Sequence, residues 1–136
     1  MSPAAARKFL TGIWWVWSAA LIVALATIAI SPAMRVNFFG LFGWLFPNIL
    51  PTLTLVSTAG PAIQAASPGE DASRLIKTAI AASILYFCFL SGFVAASALA
   101  AEPLAMLQQA NMLLGPLQAL AAVTLGLHFG QAAKKP

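Results

Sequence analysis

Four long apolar stretches dominate the chain, and the charged residues lie between them or at their ends. The stretches cover approximately residues 10–30, 38–58, 75–101 and 104–130. Each has at least the length, about twenty residues, that a helix needs to cross the hydrocarbon core of a bilayer. The pattern therefore predicts an all-α fold: a bundle of four transmembrane helices that forms a single domain over residues 1–136.

The second stretch contains two prolines, Pro47 and Pro51, near its middle. A proline inside a helix removes a backbone donor and collides with the preceding turn. In lipid, the freed carbonyls need partners from other helices, hydroxyl groups or bound water. Asn48 and Thr52 stand beside the prolines, and their spacing of four residues places both on one side of a helix. We therefore expect the second helix to be broken by the two prolines and to face protein or a wet cavity.

The basic residues predict an orientation. If all four stretches span the membrane, six of the seven basic residues fall on one side and only Arg35 falls on the other. The six are Arg7, Lys8, Arg74, Lys77, Lys134 and Lys135. The positive-inside rule then places the N-terminus, the C-terminus and the middle loop in the cytoplasm. This arrangement predicts a multi-pass protein of the cell membrane, specifically a bacterial inner membrane.

The first stretch has an alternative interpretation as a cleaved signal peptide. Ala24, Leu25 and Ala26 resemble a cleavage site made of small residues. The group Trp14, Trp15 and Trp17 near the start of the stretch instead suits an interfacial aromatic belt. Because the stretch also has full spanning length, we favour a retained transmembrane helix.

Composition supports a membrane environment. The chain is 61% hydrophobic and 7% charged, with a mean hydropathy of +0.91. A soluble domain has about a quarter of its residues charged. The net charge of +4 is small and its basic residues are dispersed along the chain. The lipid bilayer is therefore the predicted partner, and nucleic acid is not.

Few residues in the sequence are suited to catalysis or metal binding. The lone Cys88 excludes an internal disulfide and a two-cysteine redox relay. The single histidine, His128, provides one axial haem ligand unless two chains share it, and an interfacial side chain is the simpler interpretation. The carboxylates of Glu70, Asp71 and Glu102 fall in predicted loops, whereas coupled transporters place ionisable groups within the membrane. We expect no enzyme activity, no cofactor and no metal.

The third and fourth stretches each have a stripe of small or polar residues spaced three or four apart, so each stripe lies on one helix face. Small residues allow helices to approach closely, and polar side chains in a span seek protein partners. The residues predicted to pack helices are Cys88, Gly92, Ala96, Gly115, Ala122 and Gly126. The alternative for the fourth stretch is a face that lines a pore.

Asn48, Thr52, Asn111 and Gln118 are the candidate pore-lining or polar packing residues. Uncharged amides and hydroxyls repeated around a ring of subunits can line a constriction. The simpler interpretation is that the hydroxyls bind carbonyls freed by Pro51. Our leading hypothesis is a small homo-oligomeric membrane protein that acts as a channel or pore. The alternative is an accessory or assembly subunit that binds another membrane protein, and a lysis pore is a third, weaker hypothesis.

Overall fold

A computed structural model describes residues 3–30, 38–58 and 70–130. The helices are α1 (Pro3–Ala29), α2 (Phe38–Thr58), α3 (Glu70–Ser97) and α4 (Pro103–Gly130). All four are long and apolar enough to cross a membrane. This confirms the predicted all-helical, four-span architecture of a multi-pass membrane protein. Arg35, Lys134 and Lys135, on which the predicted orientation partly depends, lie outside the described residues.

The helices do not begin and end at the bounds predicted from the apolar stretches. α1 begins at Pro3 and α4 begins at Pro103, and a proline in the first helical position gives up a donor that would be unpaired anyway. α3 ends at Ser97, four residues earlier than predicted, where the Ser97 hydroxyl donates to the Val94 carbonyl at 2.7 Å. Short backbone bonds from residues 98, 99 and 100 to the carbonyls three positions earlier then close the turn into α4.

Each helix packs mainly against two others. α1 and α4 both contact α2 and α3, so the cross-section of the bundle has the order α1, α2, α4, α3. The hydroxyl of Thr11, near the start of α1, donates to the carbonyl of Val56, near the end of α2, so these helices are antiparallel. The starts of α2 and α4 meet at Gly40 and Leu104, so α2 and α4 run in the same direction.

Tryptophans of α1 tie the bundle together. The indole of Trp14 is fully buried and donates to the Ser83 hydroxyl of α3 at 3.1 Å. Its ring stacks on Tyr86, with centroids 5.9 Å apart, and lies 4.5 Å from the ring of Phe87. Trp14 therefore fills the core of the bundle, and the predicted interfacial belt, which concerns depth in the membrane, stays a prediction.

The neighbouring tryptophans lie on the outer surface but also bond to serines. Trp15 donates to Ser57 of α2 at 3.2 Å, and Trp17 donates to Ser91 of α3 at 2.9 Å. Each indole therefore finds an acceptor within the protein, which the surrounding hydrocarbon does not offer. Trp14 bonds to Ser83 and Trp17 bonds to Ser91, so the residue numbers rise together along both helices, and α1 and α3 are parallel.

We expect Trp14→Ala to destabilise the bundle by about 3 kcal/mol, because it removes a buried aromatic side chain and leaves a cavity. Trp15→Ala is the matched control, since Trp15 is 54% exposed and its loss leaves no interior void. The measurement is unfolding in mixed detergent micelles, followed by helical circular dichroism. Equal losses of stability for the two variants would contradict the packing described for Trp14.

Candidate functional site

A hydrogen-bonded cluster occupies the middle of the bundle and is centred on Asn48. This buried residue is the midpoint of α2. Its amide nitrogen donates to the Trp44 carbonyl at 2.7 Å and to the Asn111 side-chain oxygen on α4 at 3.2 Å. The Tyr86 hydroxyl on α3 donates to the Asn48 carbonyl at 2.6 Å. One residue of α2 is thereby bonded to both α3 and α4.

Gln118 of α4 compensates for the second proline. Because Pro51 has no N–H, the carbonyl of Pro47 lacks its helical donor. The Gln118 amide nitrogen donates to that carbonyl at 3.1 Å, and it also donates to the Asn48 carbonyl at 3.3 Å. A neighbouring helix thus supplies the hydrogen bond that the proline removes, as a span in lipid requires.

The α-helical backbone of α2 continues through Pro47 and Pro51 to Thr58. The structure therefore does not show the predicted proline break. Gln118 pairs the carbonyl freed by Pro51, so this carbonyl has a donor where the helix continues past the second proline.

The Thr52 hydroxyl does not bind a carbonyl freed by Pro51, although its position beside the prolines suggested that it would. Its side chain is 1% exposed, and its hydroxyl has no hydrogen-bond partner among the described residues. The group that binds the carbonyl freed by Pro51 is therefore the Gln118 amide and not this hydroxyl. The Trp44 indole nitrogen is also buried without a partner within the described part of the chain. An unpaired buried polar atom costs about 1–3 kcal/mol, so such atoms mark places where a further group can bind.

A cleft of about 260 Å³ opens beside this cluster, between α2 and α4. Asn48, Asn111 and Gln118 line it together with Trp44 and Pro47, and Gly43 and Gly115 form its edges. A Cβ added at either glycine would meet nothing within 4 Å. The surroundings of both glycines are therefore open. Three of the four predicted lining residues therefore converge here, and Thr52 does not line the cleft.

A second cleft is apolar, has a volume of about 420 Å³ and lies between α3 and the start of α4. The predicted packing stripe of α3, Cys88, Gly92 and Ala96, forms part of its wall, next to Phe89 and Met106. Cys88 is exposed, and a Cβ at Gly92 would meet nothing within 4 Å. Within one chain, the stripe therefore faces outward, and its packing against another chain stays a prediction.

The small residues of α4 also leave space around them. Gly115 is exposed, Ala122 and Gly126 are partly exposed, and a Cβ at Gly126 would meet nothing within 4 Å. The tight glycine contact is instead at Gly40, where a Cβ would lie 2.8 Å from a methyl group of Leu104. Gly40 belongs to neither stripe, so spacing alone did not identify it.

Sequence reasoning missed Tyr86 and Trp44. A tyrosine hydroxyl or an indole N–H buried in an apolar run needs a hydrogen-bond partner. This requirement marks Tyr86, the only tyrosine of the chain, as a residue that needs an acceptor inside the bundle. The identity of its acceptor, the Asn48 carbonyl, depends on how the helices face each other and had no signal in the sequence.

The cleft between α2 and α4 is lined by uncharged residues. Among the described residues, no three His, Cys, Asp or Glu side chains come together as metal ligands. The side chains of His128, Glu70 and Asp71 lie outside the described ones. The arrangement offers amide and indole groups, which bind neutral hydrogen-bonding partners. Comparison with protein-family models, curated protein sequences and solved structures finds no match to this chain.

We expect Gln118→Leu to destabilise the protein by about 1–3 kcal/mol, because it leaves the Pro47 carbonyl unpaired. Gln109→Leu is the matched control, since Gln109 is an exposed amide on the same helix. In a Pro51→Ala background, residue 51 regains an N–H that can bond the Pro47 carbonyl. The cost of Gln118→Leu should therefore fall in that background.

The measurement is a double-mutant cycle in mixed micelles. A cost of Gln118→Leu that is the same with Pro51 and with Ala at that position would show that Gln118 does not replace the missing helical bond.

Proposed function

We propose that the protein is a small homo-oligomeric membrane channel whose subunits enclose a water-filled path along the cleft between α2 and α4. The observation that supports this most directly is the exposed amide of Asn111 in the middle of the span. Asn111 bonds to Asn48, the midpoint of the 21-residue helix α2, so it lies at about the depth of the bilayer centre.

An exposed amide at this depth needs a partner. Hydrocarbon offers no hydrogen bonds, and an amide transferred to it unpaired costs on the order of several kcal/mol. In a single subunit, Asn111 and Gly115 are exposed, so the cleft would open onto lipid. Association of subunits replaces that lipid with protein or water. We infer a role in permeation rather than catalysis, because the cleft is lined by amides, glycines and an indole.

The path lies between subunits and not through the centre of one. The interior of the bundle is filled by large buried side chains, among them Trp14, Tyr86, Phe87, Leu45 and Leu114. A neutral lining of amide groups beside flat glycine surfaces is compatible with a wet constriction. Because the cleft is lined by uncharged groups, the proposal covers water, small neutral solutes and ions, which the flux measurements below distinguish.

We further propose that both termini lie in the cytoplasm of a bacterial inner membrane. α1 and α3 run in the same direction, and the basic residues Arg7, Lys8, Arg74 and Lys77 lie near their starts. Those four charges therefore lie at one end of the bundle, and Glu102 follows α3 at the other end. The positive-inside rule assigns the basic end to the cytoplasm.

A second candidate function is that of an accessory subunit in a larger membrane complex. The apolar cleft of about 420 Å³ beside Cys88 and Gly92 favours it, because a groove edged by small residues accommodates a helix of another protein. Extraction in mild detergent should then bring down an unlike membrane protein in stoichiometric amount. Recovery of this chain alone would count against the accessory role.

We expect Gly115→Leu to reduce permeation at least tenfold, because its side chain enters the cleft, where a Cβ meets no other atom within 4 Å. Gly12→Leu is the matched control, since Gly12 is an exposed glycine of α1 with equally open surroundings. The measurements are stopped-flow osmotic shrinkage and potassium flux in vesicles that contain the purified protein.

Two results would contradict the channel. The channel proposal fails if vesicles with the wild-type protein pass water, small neutral solutes and potassium no faster than protein-free vesicles. Equal permeation by Gly115→Leu and Gly12→Leu would show that the path does not follow this cleft.

A further inference from the structure

The cleft between α2 and α4 holds polar groups that the subunit leaves available, both a donor and acceptors. The Asn111 side-chain oxygen accepts from Asn48, but the Asn111 amide nitrogen donates to none of the described residues. The Gln118 amide nitrogen donates to the carbonyls of Pro47 and Asn48, whereas the Gln118 side-chain oxygen accepts from no described residue. An occupant of the cleft therefore meets an available amide donor and an available amide acceptor.

The backbone carbonyl of Gly43 is a further acceptor. Because Pro47 has no N–H, the usual helical donor to this carbonyl is missing, and no described side chain donates to it. A helical carbonyl points toward the residue four positions later, so this oxygen points toward the depth of Pro47, next to Asn48 and its partner Asn111. Gly43 and Asn111 are both exposed and line the same cleft. The first proline thus provides an acceptor at about the depth of the available amide.

We propose that this cleft binds small uncharged solutes with hydroxyl or amide groups, namely water, polyols such as glycerol, and urea, and that it excludes ions. The inference rests on the proposed channel and names the class of solute that it passes. A solute of this class can donate to the Gly43 carbonyl and the Gln118 oxygen while it accepts from the Asn111 amide. These bonds replace the water that the solute leaves behind, at a depth where hydrocarbon offers no partner.

The same groups do not replace the hydration shell of an ion. An ion in the middle of a bilayer needs an opposite charge or a ring of carbonyl oxygens around it. The cleft is lined by uncharged residues, and α2 and α4 contain no Asp, Glu, Lys or Arg. A cation at the Gly43 carbonyl also meets the N–H groups of Asn111, and an anion at those N–H groups meets the acceptor oxygens. Only a solute that both donates and accepts uses all of these groups favourably.

The first test compares solutes in vesicles that contain the purified protein. Stopped-flow light scattering measures the entry of water, glycerol and urea, and a separate assay measures potassium flux. We expect the wild type to pass the three neutral solutes faster than protein-free vesicles do, and to pass potassium no faster. Valinomycin added at the end of the potassium assay shows that the ion gradient was intact.

The second test is Pro47→Ala, which restores the N–H that bonds the Gly43 carbonyl and so removes this acceptor from the cleft. The helix gains a hydrogen bond, and the carbonyl of residue 47 that Gln118 binds is retained, so the variant should fold. We expect glycerol and urea permeation to fall roughly fivefold, on the scale of one hydrogen bond.

Pro116→Ala is the matched control for this variant. It restores the same type of bond within α4, to the carbonyl of Met112, and neither Pro116 nor Met112 lines the cleft. Permeation should stay at the wild-type level. The donor is tested in the same way: Asn111→Leu should lower permeation of the neutral solutes, whereas Gln109→Leu, which changes an exposed amide outside the cleft, should not.

The outcomes separate the inference from the function on which it rests. If the wild type passes none of the solutes faster than protein-free vesicles, the channel and the inference both fail. Potassium flux as fast as glycerol and urea entry overturns the selectivity and leaves the channel standing. Equal permeation by Pro47→Ala and Pro116→Ala overturns the binding site at the Gly43 carbonyl, and this result does not depend on whether Asn111→Leu folds.

Discussion

The hydrogen bond from the Gln118 amide to the Pro47 carbonyl is the interaction on which the arrangement of α2 and α4 depends. Pro51 leaves that carbonyl without its helical donor, and hydrocarbon cannot provide another. The partner must come from the neighbouring helix, which fixes the two helices side by side and in register. The Tyr86 hydroxyl then binds the next carbonyl along, that of Asn48, and brings α3 to the same point.

Polar groups in hydrocarbon need hydrogen-bond partners, and the polar side chains of this cluster meet that need in two ways. The amides of Asn48 and Gln118 bind groups of their own subunit, so their first effect is to bond α2 to α4. Asn111 gives its oxygen to Asn48 and keeps its nitrogen available. The cleft that we propose to serve permeation therefore lies beside the cluster that stabilises the subunit, and Asn111 takes part in both.

The number and type of the helices could be predicted because each apolar run is long enough to span a bilayer and contains almost no charge. Spacing also identified Asn111 and Gln118 as residues of one face of α4. It did not show which helix this face meets, because the partner carbonyl of Gln118 lies about seventy positions earlier in the chain. The position of Trp14 near the start of an apolar run favours an aromatic belt but gives no sign that its side chain is buried between helices. Its burial follows from the serine and the rings that α3 places opposite it, which sequence position alone does not reveal.

Because α4 supplies the hydrogen bond to the Pro47 carbonyl of α2, the order of helix synthesis affects how the bundle assembles. Synthesis runs from the N-terminus, so α2 enters the membrane before the helix that carries Gln118 exists. Until α4 follows, the carbonyl of Pro47 has no partner from that helix, and α2 is held by α1 and by the hydroxyl of Tyr86 alone. Assembly of the bundle is therefore completed only when the last helix inserts, and a nascent chain that stops before α4 presents an unfinished second span to the membrane insertion machinery.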